Sequence, residues 1–556
     1  MSRNDASLGI NAKTRFDYVD SILEGLGAIP KSVQMTGVGV LTGRIEGTLH
    51  SPRIDAKIAL ADAGILVGRT IRKPRGVPAE IRLAGKKIDE VLQLDNLEIL
   101  FGPVHLRAEG KAEQPSGNTD LLAELAPLDL ARLAELSPEL AERGPHGKFS
   151  FKLSGKRNRN EAQPHESRRF PEISGEVNFE KVSLAPMPET PQVRPVLTGS
   201  IVADPEQIRL QGMSLEVDRH TISLEGELNA YRDWPASNAR LRVDAELLDL
   251  NMLLSLVPTG EGQPKKEPSG SGGAEAPTSP EEPEPSGRKG HGDVWKNLRA
   301  SLDVRSERLM YKTFSVEDFL LKALLHDSRL RIENLSFNPP EGAFSAQGGL
   351  DMTDPEPAVQ LTAAGRHIKV APADFVWLKD EAPLFALPLT GLEGTLDFAS
   401  DLTSRGSDFE AIQTNLTGSG TLGARDGIDV TFGFLQDLSA YGDILKRLMP
   451  KKYTAFHFSS LDGTYRIENG AIQYDMSFST KEKSPVAHLV GSTQLADRTV
   501  EARLRLDGRI LGRDFGPFLG KDGTLPIKIT GKIGSLKPVL QPGPESAESA
   551  PPEPKP

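Results

Sequence analysis

The chain has no cysteine in 556 residues. That absence removes disulfides, thiolate metal sites and a cysteine nucleophile, and it fits a compartment where stray thiols would be oxidised. Aromatic residues are scarce at 6% and hydrophobic residues reach only 38%, lean for a compact globule of this length but sufficient for sheets that bury one face. No stretch approaches the roughly 18 consecutive apolar residues of a membrane-spanning helix, and the N-terminus lacks the basic-then-apolar layout of an export signal. Positive charge is not in excess either. The net charge is -11, and Lys and Arg mostly alternate with acids, which argues against a nucleic-acid partner because such binding needs clustered cations.

Catalytic signatures are missing too. Ten histidines are scattered without HxH or HExxH, and no GxSxG occurs, so neither a metal centre nor a nucleophile elbow is expected. Gly418, Gly420 and Gly423 fit GxGxxG, but "LTGSGTLGARDGIDVTF" continues with alternating Leu416, Leu422, Ile428 and Val430, the pattern of strand and turn rather than of a phosphate loop. The carboxylates lie on charged strand faces with Arg or Lys nearby. The expectation is a protein that is not an enzyme and carries no cofactor.

What the chain does have is a period of two. In "QIRLQGMSLEVDRHTISLEGELNAY", Ile208, Leu210, Leu215 and Val217, then Ile222 and Leu224, alternate with polar residues. Leu241 and Val243 repeat the pattern, as do Leu330 and Ile332, and Val500, Leu504 and Leu506. "SLDGTYRIENGAIQYDMSFST" sets Tyr465, Ile467, Ile472, Tyr474, Met476 and Phe478 on alternating positions. Strands of this kind are antiparallel with one face in water. A longer period overlies the short one: four blocks with Leu94, Leu210, Ile332 and Ile467 at matching places repeat at steps of 116, 122 and 135 residues, and the last two share "RIEN".

These patterns divide the chain. Residues 1–34 are an N-terminal segment in which Phe16, Val19, Ile22, Leu23 and Leu26 fall at helical spacing; 35–258 and 294–540 are two halves of a β-groove; 541–556 is a polar tail. Residues 259–293, rich in Pro, Gly, Ser and charge, are a linker or, since the block spacing carries across them, a loop inserted in the series. Short helices are expected where apolar residues fall at near-helical spacing between Leu121 and Leu140, and on the stripe Phe434, Leu438, Tyr441, Leu445 and Leu448.

The fold class that follows is mainly β: an elongated, curled antiparallel sheet forming a repeating groove, with a few short amphipathic helices. About twenty strands of about six residues make a ribbon about 100 Å long and 20 Å wide. Open sheets beyond about ten strands curl or split. With the apolar face inward, such a sheet becomes either a barrel filled by side chains or a trough that needs an apolar partner. At about 25 cal/mol per Å² of apolar surface removed from water, a dry trough would hold acyl chains strongly.

The segments "LTGSGTLGARDGIDVTFGFLQDL" and "FSSLDGTYRIENGAIQYDMSFST" resemble the C-terminal region of AsmA-like proteins. The resemblance runs through Gly418, Gly420, Leu422, Gly427, Leu461, Gly463, Ile467, Asn469, Gly470 and Ile472. The ending "LPIKITGKIGSLKPVLQP", with Gly531, Ser535 and Pro538, looks like that of the same AsmA/TamB-type family. The match covers residues 415–540. It implies a periplasmic protein of Gram-negative bacteria, held at the inner membrane by an N-terminal anchor missing from this chain. It further implies a β-groove that carries phospholipids and serves outer-membrane biogenesis. The implied partners are phospholipid acyl chains and inner- or outer-membrane or envelope proteins. The alternative is an envelope scaffold or assembly factor with a closed, dry sheet. An interior open along its length favours transport, and a filled one favours the scaffold.

Overall fold

The computed structural model describes residues 6–15, 33–48, 50–68, 70–114, 116–157, 171–183, 194–217, 219–233, 237–255, 298–312, 314–371, 392–431, 455–481, 484–511, 516, 518–533 and 535–541. The helical pattern at 16–26, the segment 259–293, the stripe from Phe434 to Leu448 and the tail after Gln541 lie outside them. The chain is mainly β, 73% strand and 7% helix. It divides into two compact units, residues 1–247 with 251–301, and residues 248–250 with 302–556.

The first unit opens with β1 (Ala6–Arg15), β2 (Val33–Gly47) and β3 (Pro52–Ala59), followed by a small hairpin of β4 (Ala63–Val67) and β5 (Ile71–Lys73). A meander follows: β6 (Ala79–Ile88), β7 (Val91–Phe101), β8 (Val104–Glu113), β9 (Thr119–Asp129) and β10 (His146–Arg157). It continues through β11 (Glu172–Ser183), β12 (Val196–Ala203), β13 (Gln207–Val217), β14 (His220–Asn229) and β15 (Asn238–Asp249). Successive strands pair antiparallel, except that β3 passes over the hairpin to pair with β6, while β4 pairs with the start of β2.

The second unit holds β16 (Arg299–Tyr311), β17 (Phe314–His326), β18 (Arg329–Asn338), β19 (Ala343–Asp351), β20 (Ala358–Val370) and β21 (Leu392–Arg405). It continues with β22 (Thr417–Ala424), β23 (Ile428–Thr431), β24 (Ala455–Phe458), β25 (Ser460–Glu468) and β26 (Ala471–Ser479). The last strands are β27 (Pro485–Gln494), β28 (Thr499–Asp507), β29 (Thr524–Lys532) and β30 (Ser535–Leu540). Here β21 pairs with both β22 and β23, and β22 reaches past the β23–β24 hairpin to β25. In both units the sheet is open and curled.

Many strands run ten to fifteen residues, about twice the length expected from the alternation. The reason is a recurrent bulge. In β7 the register jumps between Leu94 and Leu97, in β13 between Leu210 and Met213, and in β18 between Ile332 and Leu335. Each bulge inserts one residue, flips the phase of the alternation, and so keeps apolar residues on the same face while the strand bends. Ile208 and Leu210 on even numbers therefore share a face with Leu215 and Val217 on odd ones.

The shared "RIEN" behaves differently in its two copies. Glu333 and Asn334 form the bulge inside β18, whereas Glu468 and Asn469 end β25. Asn469 (φ 49) and Gly470 (φ 72) are both left-handed and make the two-residue turn into β26.

The segment between Leu121 and Leu140, where short helices are expected, is strand in its first half and helical in its second. Residues up to Asp129 belong to β9, and helix is confined to α1 (Leu130–Ala134) and α2 (Pro138–Arg143). Leu121, Ala123 and Leu125 alternate toward one face, and strand pairing on both sides outweighs the weak helical spacing. Asp129 ends the strand by capping α1, accepting from the amides of Ala131 (3.0 Å) and Arg132 (3.4 Å). Three further short helices are described: α3 (Leu250–Ser255), α4 (Phe409–Thr414) and α5 (Gly508–Leu511). At Asp507 the ending of β9 recurs: its Oδ1 accepts from the Arg509 amide at 2.8 Å as β28 passes into α5.

Candidate apolar binding face

Directly opposed residues in an antiparallel sheet point to the same face, so the pairings can be followed across the first unit. One row from β3 to β15 reads Ala56, Leu83, Leu97, Ala108, Ala123, Leu153, Gly175, Ala203, Ile208, Leu228 and Ala239. A second reads Ile58, Ile81, Ile99, Leu106, Leu125, Phe151, Val177, Ile201, Leu210, Gly226 and Leu241. Neither row contains a polar side chain. A row on the opposite face of the same strands reads Lys57, Arg82, Glu98, Arg107, Glu124, Lys152, Glu176, Val202, Arg209, Glu227 and Arg240. Arg107 bridges Glu98 at 3.2 Å, Lys152 bridges Glu124 at 3.5 Å and Arg240 bridges Glu227 at 3.2 Å. The sheet thus separates a continuous apolar face from a solvated charge ladder.

The two units differ in how far that face is covered. In the first, Leu83 is 38% exposed, Leu121 50% and Leu241 39%. In the second, Leu396, Leu422, Leu461, Phe478, Leu504, Leu506, Leu525 and Ile527 form one buried cluster that draws on β20 to β29. Leu511 of α5 belongs to it, and Ile510, Phe518 and Leu519 pack against it. Phe458 and Phe478 lie 5.0 Å apart, tilted against each other.

The residues expected to line a groove distribute accordingly. Ile208, Leu210, Leu215 and Leu224 are half-buried, Leu241 is exposed, and Val243 is half-buried, while Val217 and Ile222 are buried. Leu330 and Ile332 are half-buried and pair toward β19. Ile472, Tyr474, Met476 and Val500 are half-buried, whereas Ile467, Phe478, Leu504 and Leu506 are at most 1% exposed and sealed inside packed clusters. Sequence reasoning passed over Leu83, Leu97, Leu106, Leu121 and Phe151, which belong to the most open part of the face. The signal was there in "IRLAGKK" and "TDLLAEL", whose alternation continues that of β13.

The five motif glycines have structural settings. Gly418 lies between Leu402 and Ile467, Gly463 between Leu422 and Met476, and Gly531 between Val500 and Leu536. Gly420 lies between Ser400 and Tyr465, and Gly470 is the turn residue after β25.

No protein-family model and no curated protein matches this chain. Among the described residues no cluster of three or more acidic or histidine side chains is placed to hold a metal. A shallow depression of about 670 Å³ lies over β25 to β28, with Arg466, Asp475, Glu501 and Arg503 around it. Its carboxylates are engaged by neighbours: His488 Nε2 is 2.7 Å from Asp475 and Lys528 Nζ 2.9 Å from Glu501. It belongs to the charged face. On the apolar side, burial pushes the Tyr465 and Tyr474 hydroxyls above the usual phenol range, opposed in part by hydrogen bonds with Ser400 and Thr493.

Proposed function

We propose that the chain is a lipid-handling protein of the AsmA-like type, holding phospholipid acyl chains on the apolar face of the first unit with headgroups left in water. In this reading it works in the periplasm, contributes to the upkeep of the outer membrane, and performs no covalent chemistry. The observation that carries it is the pair of apolar rows crossing eleven strands, with Leu83 and Leu241 in them and Leu121 beside them on the same face each more than a third exposed. A continuous apolar surface of that extent needs an apolar partner, and a flexible hydrocarbon fits a track that offers few specific polar contacts. Native mass spectrometry of the purified full chain tests it. Lipid adducts are expected on the wild type and lost on Leu83→Glu/Leu241→Glu; a folded wild type without adducts would refute the proposal.

A second reading has its own support. The sealed cluster of the second unit is what an envelope scaffold would have, its sheet filled by its own side chains. Adducts unaffected by substitutions in the first unit, together with capture of a single envelope protein, would favour it.

A further inference from the structure

Two tyrosines interrupt the apolar face of the second unit. Tyr465 in β25 lies directly opposite Tyr474 in β26. The residues flanking them across the sheet are small: Ser400 and Gly420 on one side, Gly491 and Ala502 on the other. A Cβ on Gly420 would run into the Tyr465 ring, so the ring fills the space that the missing side chain leaves. Both rings are tied at their far ends. The Tyr465 hydroxyl shares a hydrogen bond with Ser400 Oγ, and that of Tyr474 bonds Thr493. Ser400 and Thr493 are themselves only 8% and 4% exposed. One pleat along the strands from the tyrosines lie Leu422 and Leu504 of the large sealed cluster; one pleat the other way lies Ile467 of a smaller buried cluster, with Ile472 packed against it. The tyrosines therefore stand between two packed clusters and fill the space that joins them.

We propose that Tyr465 and Tyr474 act as a plug: they close the inner face of β21–β29 to hydrocarbon and confine acyl-chain binding to the open face of the first unit. The inference rests on the lipid reading given above. An aromatic ring fixed at its hydroxyl end fills a fixed volume, because it cannot swing away without leaving a buried hydroxyl unpaired. A leucine in the same place could yield to an entering chain by changing rotamer. The two rows traced across the first unit hold no such ring, since they pass from strand to strand through Leu, Ile, Val, Phe, Ala and Gly alone; its buried Tyr231, bonded through the hydroxyl to Ile173, lies after β14 and outside those rows.

The test uses the full chain incubated with phosphatidylcholine vesicles whose fatty acyl chains carry a diazirine, followed by irradiation, digestion and mass spectrometry. In the wild type, label is expected on peptides from β6 to β15 and not on those from β25 to β28. Tyr465→Ala/Tyr474→Ala is expected to raise labelling of β25–β28 several-fold. Tyr465→Phe/Tyr474→Phe, which keeps the rings but frees their ends, is expected to fall between. If the double alanine variant does not fold, Tyr474→Ala alone carries the same readout. Wild-type labelling of β25–β28 equal to that of the first unit overturns the plug, as does an unlabelled β25–β28 in a folded alanine variant. Absence of label anywhere in the folded wild type overturns the lipid reading instead.

Discussion

The contrast between an open and a sealed apolar face can be measured as a difference between two leucine truncations. Leu504 is 0% exposed and sits between Leu489 on β27 and Ile527 on β29. Leu504→Ala removes the buried side chain and leaves a cavity walled by residues already in contact, which costs about 2–5 kcal/mol. Leu121 is 50% exposed and lies between Gly110 and Gly155. Burying a whole leucine is worth about 1.5–3 kcal/mol, so half-exposure with glycines on both sides limits Leu121→Ala to about 1 kcal/mol. Urea unfolding of the full chain, with hydrogen exchange assigning each transition to its unit, measures both. By the rule of about 1.4 kcal/mol per tenfold, Leu504→Ala is expected to shift the unfolding equilibrium of the second unit by one and a half to three and a half decades. Leu121→Ala is expected to shift that of the first by less than one. Equal costs would mean that Leu121 is packed as tightly as Leu504, and the apolar face of the first unit would then be an ordinary core.

Three further outcomes follow from single sites. Lys73, 1% exposed, donates from Nζ to the carbonyls of Leu60 (2.9 Å), Ala61 (3.2 Å), Ala63 (2.6 Å) and Pro74 (3.2 Å). Leu60 keeps the Ala63 amide and Ala61 the Gly76 amide as donors, so Lys73→Met deprives at most two carbonyls at about 1–3 kcal/mol each; amide exchange over residues 60–76 should accelerate. Gly470→Ala places a side chain at φ 72 with its Cβ 2.8 Å from the Gln413 carbonyl oxygen, and a loss of at least about 1–2 kcal/mol in urea titrations is expected, whereas Asn469→Gly should be nearly neutral. The Glu98 carboxyl is held below the usual carboxylate range, first by its hydrogen bond with His105 and then by Arg107 and Arg82. A depressed carboxyl stabilises the fold above its unfolded value, near pH 4.3, and that contribution disappears as pH falls through the folded value. Unfolding curves from pH 6 to 3 should therefore show Glu98→Gln losing less stability on acidification than the wild type; parallel curves would contradict the assignment.

One-faced alternation was legible in the sequence because a charged face and an apolar face leave a period of two wherever the strand is regular. The bulges were not. At Gln211–Gly212 and Glu333–Asn334 the alternation changes phase as it would at a turn, and only the pairing with a neighbour distinguishes a bulge from one. Exposure was still less accessible. "ARLRVD" from Ala239 and "ARLRLD" from Ala502 differ at one position, yet Leu241 is 39% exposed and Leu504 0%. Local sequence sets which face a leucine occupies, whereas its cover depends on the curl of the strands around it and on α5.

The same distinction bears on the family resemblance. Gly418, Gly463 and Gly531 each oppose a large apolar side chain on both neighbouring strands, and Gly420 makes room for the Tyr465 ring. Glycines in those places let a curled sheet close over bulky residues, so any chain that solved the same packing problem would carry them. They belong to the second unit, whose face is filled by its own buried side chains. The more exposed apolar face, which the proposed reading assigns to lipid, lies on β3 to β15, which carry none of the glycines of the 415–540 match. Substitutions at Leu83, Leu121 and Leu241 therefore probe lipid binding, and substitutions at the motif glycines probe folding.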